Sequence, residues 1–146
     1  MNMRKYIYAT IAAVVVMFMA SMTVAANSPG NVDDLSAAEQ YNYTVYTGQI
    51  GPYPITLYID LSASVNEYCG YYYYNSRPNS KFTLIIKKLE TINLHGSMKV
   101  VLYEYTAKGN HSGTFNGQLE GRGDGFAGMF TNSKGTKYRF HLTESY

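Results

Sequence analysis

The 146-residue sequence has no tryptophan, a single cysteine and four prolines. One cysteine excludes an internal disulfide, so stability has to come from packing and backbone hydrogen bonds. No stretch repeats apolar residues at helical period for long enough to supply a crossover helix, so a parallel α/β architecture is excluded. The three histidines, His95, His111 and His141, stand at no metal-ligand spacing and have no cysteine or carboxylate cluster beside them. No metal site, phosphate loop or cofactor is therefore expected. Ser112 adjoins His111, but neighbours on a strand point to opposite faces, so the pair cannot share a proton directly.

What is present begins with an address. Arg4 and Lys5 precede a stretch, Ile7 to Val24, that is apolar apart from Tyr8, Thr10, Ser21 and Thr23. Val24-Ala25-Ala26 then leads into the polar run Asn27-Ser28-Pro29-Gly30, giving small residues at −3 and −1 for cleavage after Ala26. Cleavage after Ala25 fits nearly as well, and a retained membrane anchor is the competing reading, because the run approaches bilayer length. The expected organisation is a signal peptide over 1–26, a flexible tether over 27–40 and one β domain over 41–146. The protein is then periplasmic or secreted, without an integral membrane domain once the signal is removed. Loss of Arg4 and Lys5 reduces 12 basic residues to ten, against 10 acidic ones. A neutral mature chain has no charge-driven reason to seek nucleic acid, and no nucleic-acid partner is expected.

From Tyr41 onward the pattern is strand after strand. Tyr41, Tyr43 and Val45 alternate with polar positions before Gly48 to Gly51 interrupt them. Tyr53, Ile55, Leu57, Ile59 and Leu61 form the cleanest period-2 stripe. Further strands are predicted over 65–74, 82–89, 98–106, 112–119, 126–131 and 137–143, with a short pairing near Ile92–Leu94. Turn signals recur about every eight to twelve residues, and such short connections make neighbouring strands antiparallel. The fold class is all-β: a small antiparallel meander of about eight strands, read as an up-and-down barrel of lipocalin or avidin type. An open sandwich is the alternative. Glycines within strands (Gly70, Gly113, Gly117, Gly128) suit tight barrel corners or leave room for a neighbouring ring. Cys69, inside a strand pattern, reads as a small buried hydrophobe.

The run YTGQIGPYPITLYID, the Val65–Tyr74 strand V-x-x-Y-x-G-Y-Y-Y-Y, Leu102-Tyr103-Glu104 and Ser112-Gly113-Thr114-Phe115-Asn116-Gly117 carry a resemblance. Over residues 41–143 the chain resembles a loose group of exported bacterial β-rich proteins. Their shared pattern is Tyr-x-Gly-x-Ile…Tyr-Pro-Ile-x-Leu…Gly-x-Tyr-x-Tyr…Leu-x-Glu…Gly-x-Phe-x-Gly. The segment Ser76 to Leu94 is longer and more basic here than in that group. The resemblance implies an envelope or secreted setting and a β fold, and no activity.

Tyrosine is the compositional peculiarity, with 16 in the chain and four in succession from Tyr71 to Tyr74. In a strand, Tyr71 and Tyr73 take one face and Tyr72 and Tyr74 the other. Such rows either stabilise a sheet by cross-strand pairing or grip sugars and protein surfaces. Glu104, on an otherwise aromatic strand, is either a ligand anchor with a raised pKa or the partner of a surface lysine or arginine. The candidate binding residues are Tyr72, Tyr74, Tyr103, Tyr105 and Glu104, and no catalytic residue is assigned. Arg122-Gly123-Asp124 spells an adhesion tripeptide within a turn, but its glycines are also what a tight turn requires. The expected function is a non-enzymatic binding module for a small ligand or a protein, with hydrolase inhibition inside that class. A structural or assembly role in the cell envelope is the alternative.

Overall fold

The structure, a computed structural model, describes residues 41–146 apart from Gly123. The expected signal peptide (1–26) and tether (27–40) lie outside the described residues, as does the centre of the Arg122-Gly123-Asp124 turn.

Eight strands follow one another: β1 (Thr44–Ile50), β2 (Tyr53–Ile59), β3 (Tyr68–Tyr74), β4 (Phe82–Thr91), β5 (Met98–Tyr105), β6 (His111–Leu119), β7 (Gly125–Asn132) and β8 (Lys137–Glu144). Each pairs antiparallel with its neighbour, and β1 pairs with β8 to close the sheet. The meander is therefore a closed, lipocalin-like up-and-down barrel, and the open sandwich is excluded. Alternation sets the inside: Ile55, Leu57 and Ile59 are buried on β2, while Thr56 and Tyr58 face outward. Burying each such aliphatic side chain contributes about 1.5–3 kcal/mol.

The first strand differs from expectation. It runs through Gly48 to Ile50, and the turn falls at Gly51. Gly48 does not interrupt the strand. It is the point where β1 and β8 approach so closely that an added Cβ would lie 2.0 Å from the His141 carbonyl oxygen. The pairing expected near Ile92–Leu94 is also absent: 92–97 is a loop, with Leu94 fully exposed. β4 instead continues to Thr91, across a bulge between Ile86 and Lys88.

The barrel is filled. Four phenylalanines, Phe115, Phe126, Phe130 and Phe140, pack tilted or edge against face beneath β6–β8 with centroids 4.8–5.2 Å apart. Gly117 makes room for them, since a Cβ there would sit 2.5 Å from Phe140 Cζ. Gly70 serves the other purpose, a corner: its φ of +148° lies at a bulge in the β3–β4 pairing. Cys69 is a fully buried free thiol whose Sγ lies 3.5 Å from the Leu84 carbonyl oxygen. Burial, with the Asp60 charge second, pushes its pKa up to about 12.

Because successive strands alternate in direction, loops 51–52, 75–81, 106–110 and 133–136 gather at one end, here called the mouth. Loops 60–67, 92–97 and 120–124 gather at the other. Among the described residues, no helix is long and apolar enough to cross a membrane.

Candidate functional site at the aromatic mouth

The inward-facing parity of β3 and β5 carries Tyr72, Tyr74 and Glu104 to the mouth end of the interior. Glu104 is 3% exposed and Tyr72 is fully buried. The reading in which Glu104 pairs with a surface lysine or arginine is overturned, because its carboxylate accepts hydrogen bonds from the Tyr72 and Ser112 hydroxyls instead. Burial raises the Glu104 pKa, and the two hydroxyl hydrogen bonds pull it partly back. Burial, and then the Glu104 charge, push the Tyr72 hydroxyl well above the ordinary phenol range.

Ser112 was not legible as a partner of Glu104. By strict alternation it faces out, opposite the buried Gly113. The β5–β6 pairing shifts at this point, matching Glu104 with Gly113 but Tyr105 with His111. Ser112 is the extra residue of that bulge, and its side chain turns to Glu104. Bulges depend on the partner strand, so one strand's sequence does not announce them. Gly113 completes the arrangement: a Cβ there would lie 2.4 Å from Phe130 Cζ and 3.2 Å from Glu104 Oε2.

Above this layer the mouth is capped by rings. Tyr72 stacks on Phe82 at 5.2 Å and meets Tyr74 edge-on at 5.6 Å. Tyr74 and Tyr138 both stand edge-on to Tyr53, at 6.1 and 6.3 Å. Tyr53 is 51% exposed and forms the outermost ring of this stack. The cap is a surface, and the floor beneath it is packed.

The other two candidate residues are elsewhere. Tyr103 and Tyr105 are on the outer wall, where both rings pack against His111, and Lys87 Nζ lies 5.1 Å above Tyr103. The five candidates thus divide into an inner group (Tyr72, Tyr74, Glu104) and an outer pair. A second outer cluster covers β2 and β3. There Tyr58 stacks on Tyr71 at 4.8 Å, and Tyr43 stands edge-on to both at 6.3 and 5.8 Å. The Tyr43 and Tyr68 hydroxyls are hydrogen-bonded at 3.0 Å. These rings largely cover one another, the arrangement expected of sheet-stabilising pairs.

No family model, curated protein or solved structure matches this chain. The site is therefore read from its own geometry. Its acid is desolvated, held by two hydroxyls and sealed under rings. Its accessible chemistry is the tyrosine cap and the loops around it.

Proposed function

We propose that this protein is an exported, non-enzymatic binding module of the bacterial envelope or extracellular space, engaging a small ligand or a protein through its mouth. The observation that carries this reading is the filled interior. Side chains occupy the barrel up to the level of Glu104, so recognition falls to the aromatic cap. Tyr53, Tyr74 and Tyr138 offer large contact area with few rotatable bonds, the property that favours tyrosine at binding surfaces. Glu104 acts as a fixed floor: both hydroxyl donors that reach it come from within the protein, and neither is directed at a substrate. Inhibition of a hydrolase fits the same mode, with a rigid end pressed into a cleft. Export rests on the sequence of residues 1–26 alone.

The alternative, a structural or assembly role in the envelope, finds no free strand edge among the described residues, because closure pairs every strand on both sides, and the 27–40 tether it would also use lies outside them.

The test is Tyr53→Ser in the purified full-length gene product. Half-exposed at the rim, Tyr53 is expected to be dispensable for stability, with a change within about 1 kcal/mol by urea denaturation. Ligand screening by chemical-shift mapping is expected to give perturbations at loops 51–52, 75–81, 106–110 and 133–136 that the variant loses. Perturbations confined to the outer walls would overturn the reading.

A further inference from the structure

The modest net charge of +2 conceals a separation of charge along the barrel axis. The mouth loops and strand ends carry Arg77, Lys81, Lys108, Lys134 and Lys137, all exposed. No exposed carboxylate accompanies them among the described residues. Of the seven described carboxylates, Glu104 is the buried one, and the other six lie toward the opposite end: Asp60, Glu67, Glu90, Glu120, Asp124 and Glu144. Among the described residues, Arg122 is the one cation in that end's loops, while Lys87, Lys88, Lys99 and Arg139 are on the strands. Lys88 is already paired with Glu90 at 2.6 Å. Antiparallel closure produces this sorting: consecutive loops alternate between ends, and so do the charges they carry.

Resting on the reading of the mouth as the binding face, we infer that its ligand is an acidic polysaccharide bearing carboxylate or phosphate groups on its sugars. Three observations favour that class. The cations come from three separate loops at that end, although Lys81 Nζ lies 4.6 Å over the outer-wall Tyr71 ring, and their spacing matches repeated negative charges better than a single anion. The ring cluster of Tyr53, Tyr74 and Tyr138 lies at the same end, with Tyr53 half exposed, and aromatic faces suit the C–H faces of sugar rings. The rim itself is asparagine, serine, threonine and glycine, as in Asn75-Ser76, Asn79-Ser80, Gly109-Asn110 and Ser133-Lys134-Gly135-Thr136. That surface lacks the apolar side chains needed to enter a bilayer.

The experiment uses protein purified from cells expressing the full chain, titrated with fluorescent polygalacturonate and, separately, with neutral dextran. Saturable binding to polygalacturonate is expected, weakening at least tenfold between 50 and 300 mM NaCl as charges are screened. Charge reversal at Lys108, Lys134 and Lys137 (each to Glu) is expected to cost tenfold or more. The same reversal at Lys87 and Lys99, away from the mouth, is expected to change affinity less than twofold. Tyr53→Ser is expected to weaken binding several-fold while leaving the salt dependence intact.

Equal losses in both charge variants would overturn the inference, as would tighter binding to phosphatidylglycerol vesicles or to polyglutamate than to polygalacturonate. Dextran binding that depends on Tyr53 but not on the lysines would remove the anionic ligand class and keep the mouth as the binding face. No saccharide-induced shifts at the mouth, with shifts elsewhere, would remove both.

Discussion

Glu104 is a carboxylic acid placed where water cannot reach it, and its environment is built from hydroxyls rather than cations. Desolvation disfavours the charged form, and the Tyr72 and Ser112 hydrogen bonds recover only part of that cost, so its pKa is raised. The consequence for stability has a definite sign. A carboxyl whose folded pKa exceeds its unfolded value contributes fully below the ordinary carboxylate range, and that contribution declines as pH rises through the folded pKa. Glu104→Gln removes the titration while keeping size, with one of the two hydroxyls reversing to accept from the new amide NH2. Relative to wild type, the variant is therefore expected to gain stability between pH 4 and pH 8, by about 1.4 kcal/mol for each unit by which the pKa is raised. Urea denaturation at pH 4, 6 and 8 measures this; a difference that does not grow with pH would show that Glu104 carries no shift.

At the scale of the strand, barrel closure depends on how near β1 and β8 can come. Their pairing aligns Gly48 with Leu142 and Gln49 with His141. A methyl group at Gly48 would collide with backbone, not with a side chain able to move aside. Gly48→Ala is expected to cost about 4 kcal/mol or more, because a seam held apart forfeits both hydrogen bonds and the packing beneath it. Loss of the sheet signal in circular dichroism at temperatures where wild type is folded would be the readout. β3 shows the same interplay of strand and neighbour. Its four tyrosines divide as alternation requires, Tyr72 and Tyr74 inward, Tyr71 and Tyr73 outward. Yet the use of each face is set by what lies opposite: Glu104 and Phe82 within, Tyr58 and Tyr43 outside.

At the scale of the molecule, one closed sheet around one core has no subdivision along which to open, so unfolding is expected to be cooperative. Cys69 reports on this directly. Its thiol is buried and its pKa is about 12, so at pH 8 the reactive thiolate is scarce and shielded. A thiol reagent is expected to leave the native protein unmodified. It is expected to label Cys69 in urea with a transition that coincides with loss of sheet structure; labelling well before that transition would reveal local opening of β3. The same closure arranges the charges. Six carboxylates and five cations are divided between opposite ends by nothing more than the alternation of loops.

Much of the fold was legible because its cause is local. Period-2 alternation in Ile55–Ile59 depends only on strand geometry, turn residues on backbone sterics, and antiparallel pairing on short connections. These fixed eight strands, their order and the buried side of most of them, along with Glu104 as the acid out of keeping with its strand. The strand through Gly48 was not legible, because a glycine that ends a strand and one that admits a neighbouring backbone look alike until the neighbour is present. Ser112 was hidden for the same reason, since its orientation belongs to a bulge shared by two strands. Net charge is additive over residues, so the sequence by itself determined a nearly balanced chain, with 12 basic and 10 acidic residues. Where those charges meet is not additive. Alternation alone sends the lysines of separate loops to one end; only closure of the sheet decided that they surround one mouth, because pairing of β1 with β8 curves that row of loops into a ring.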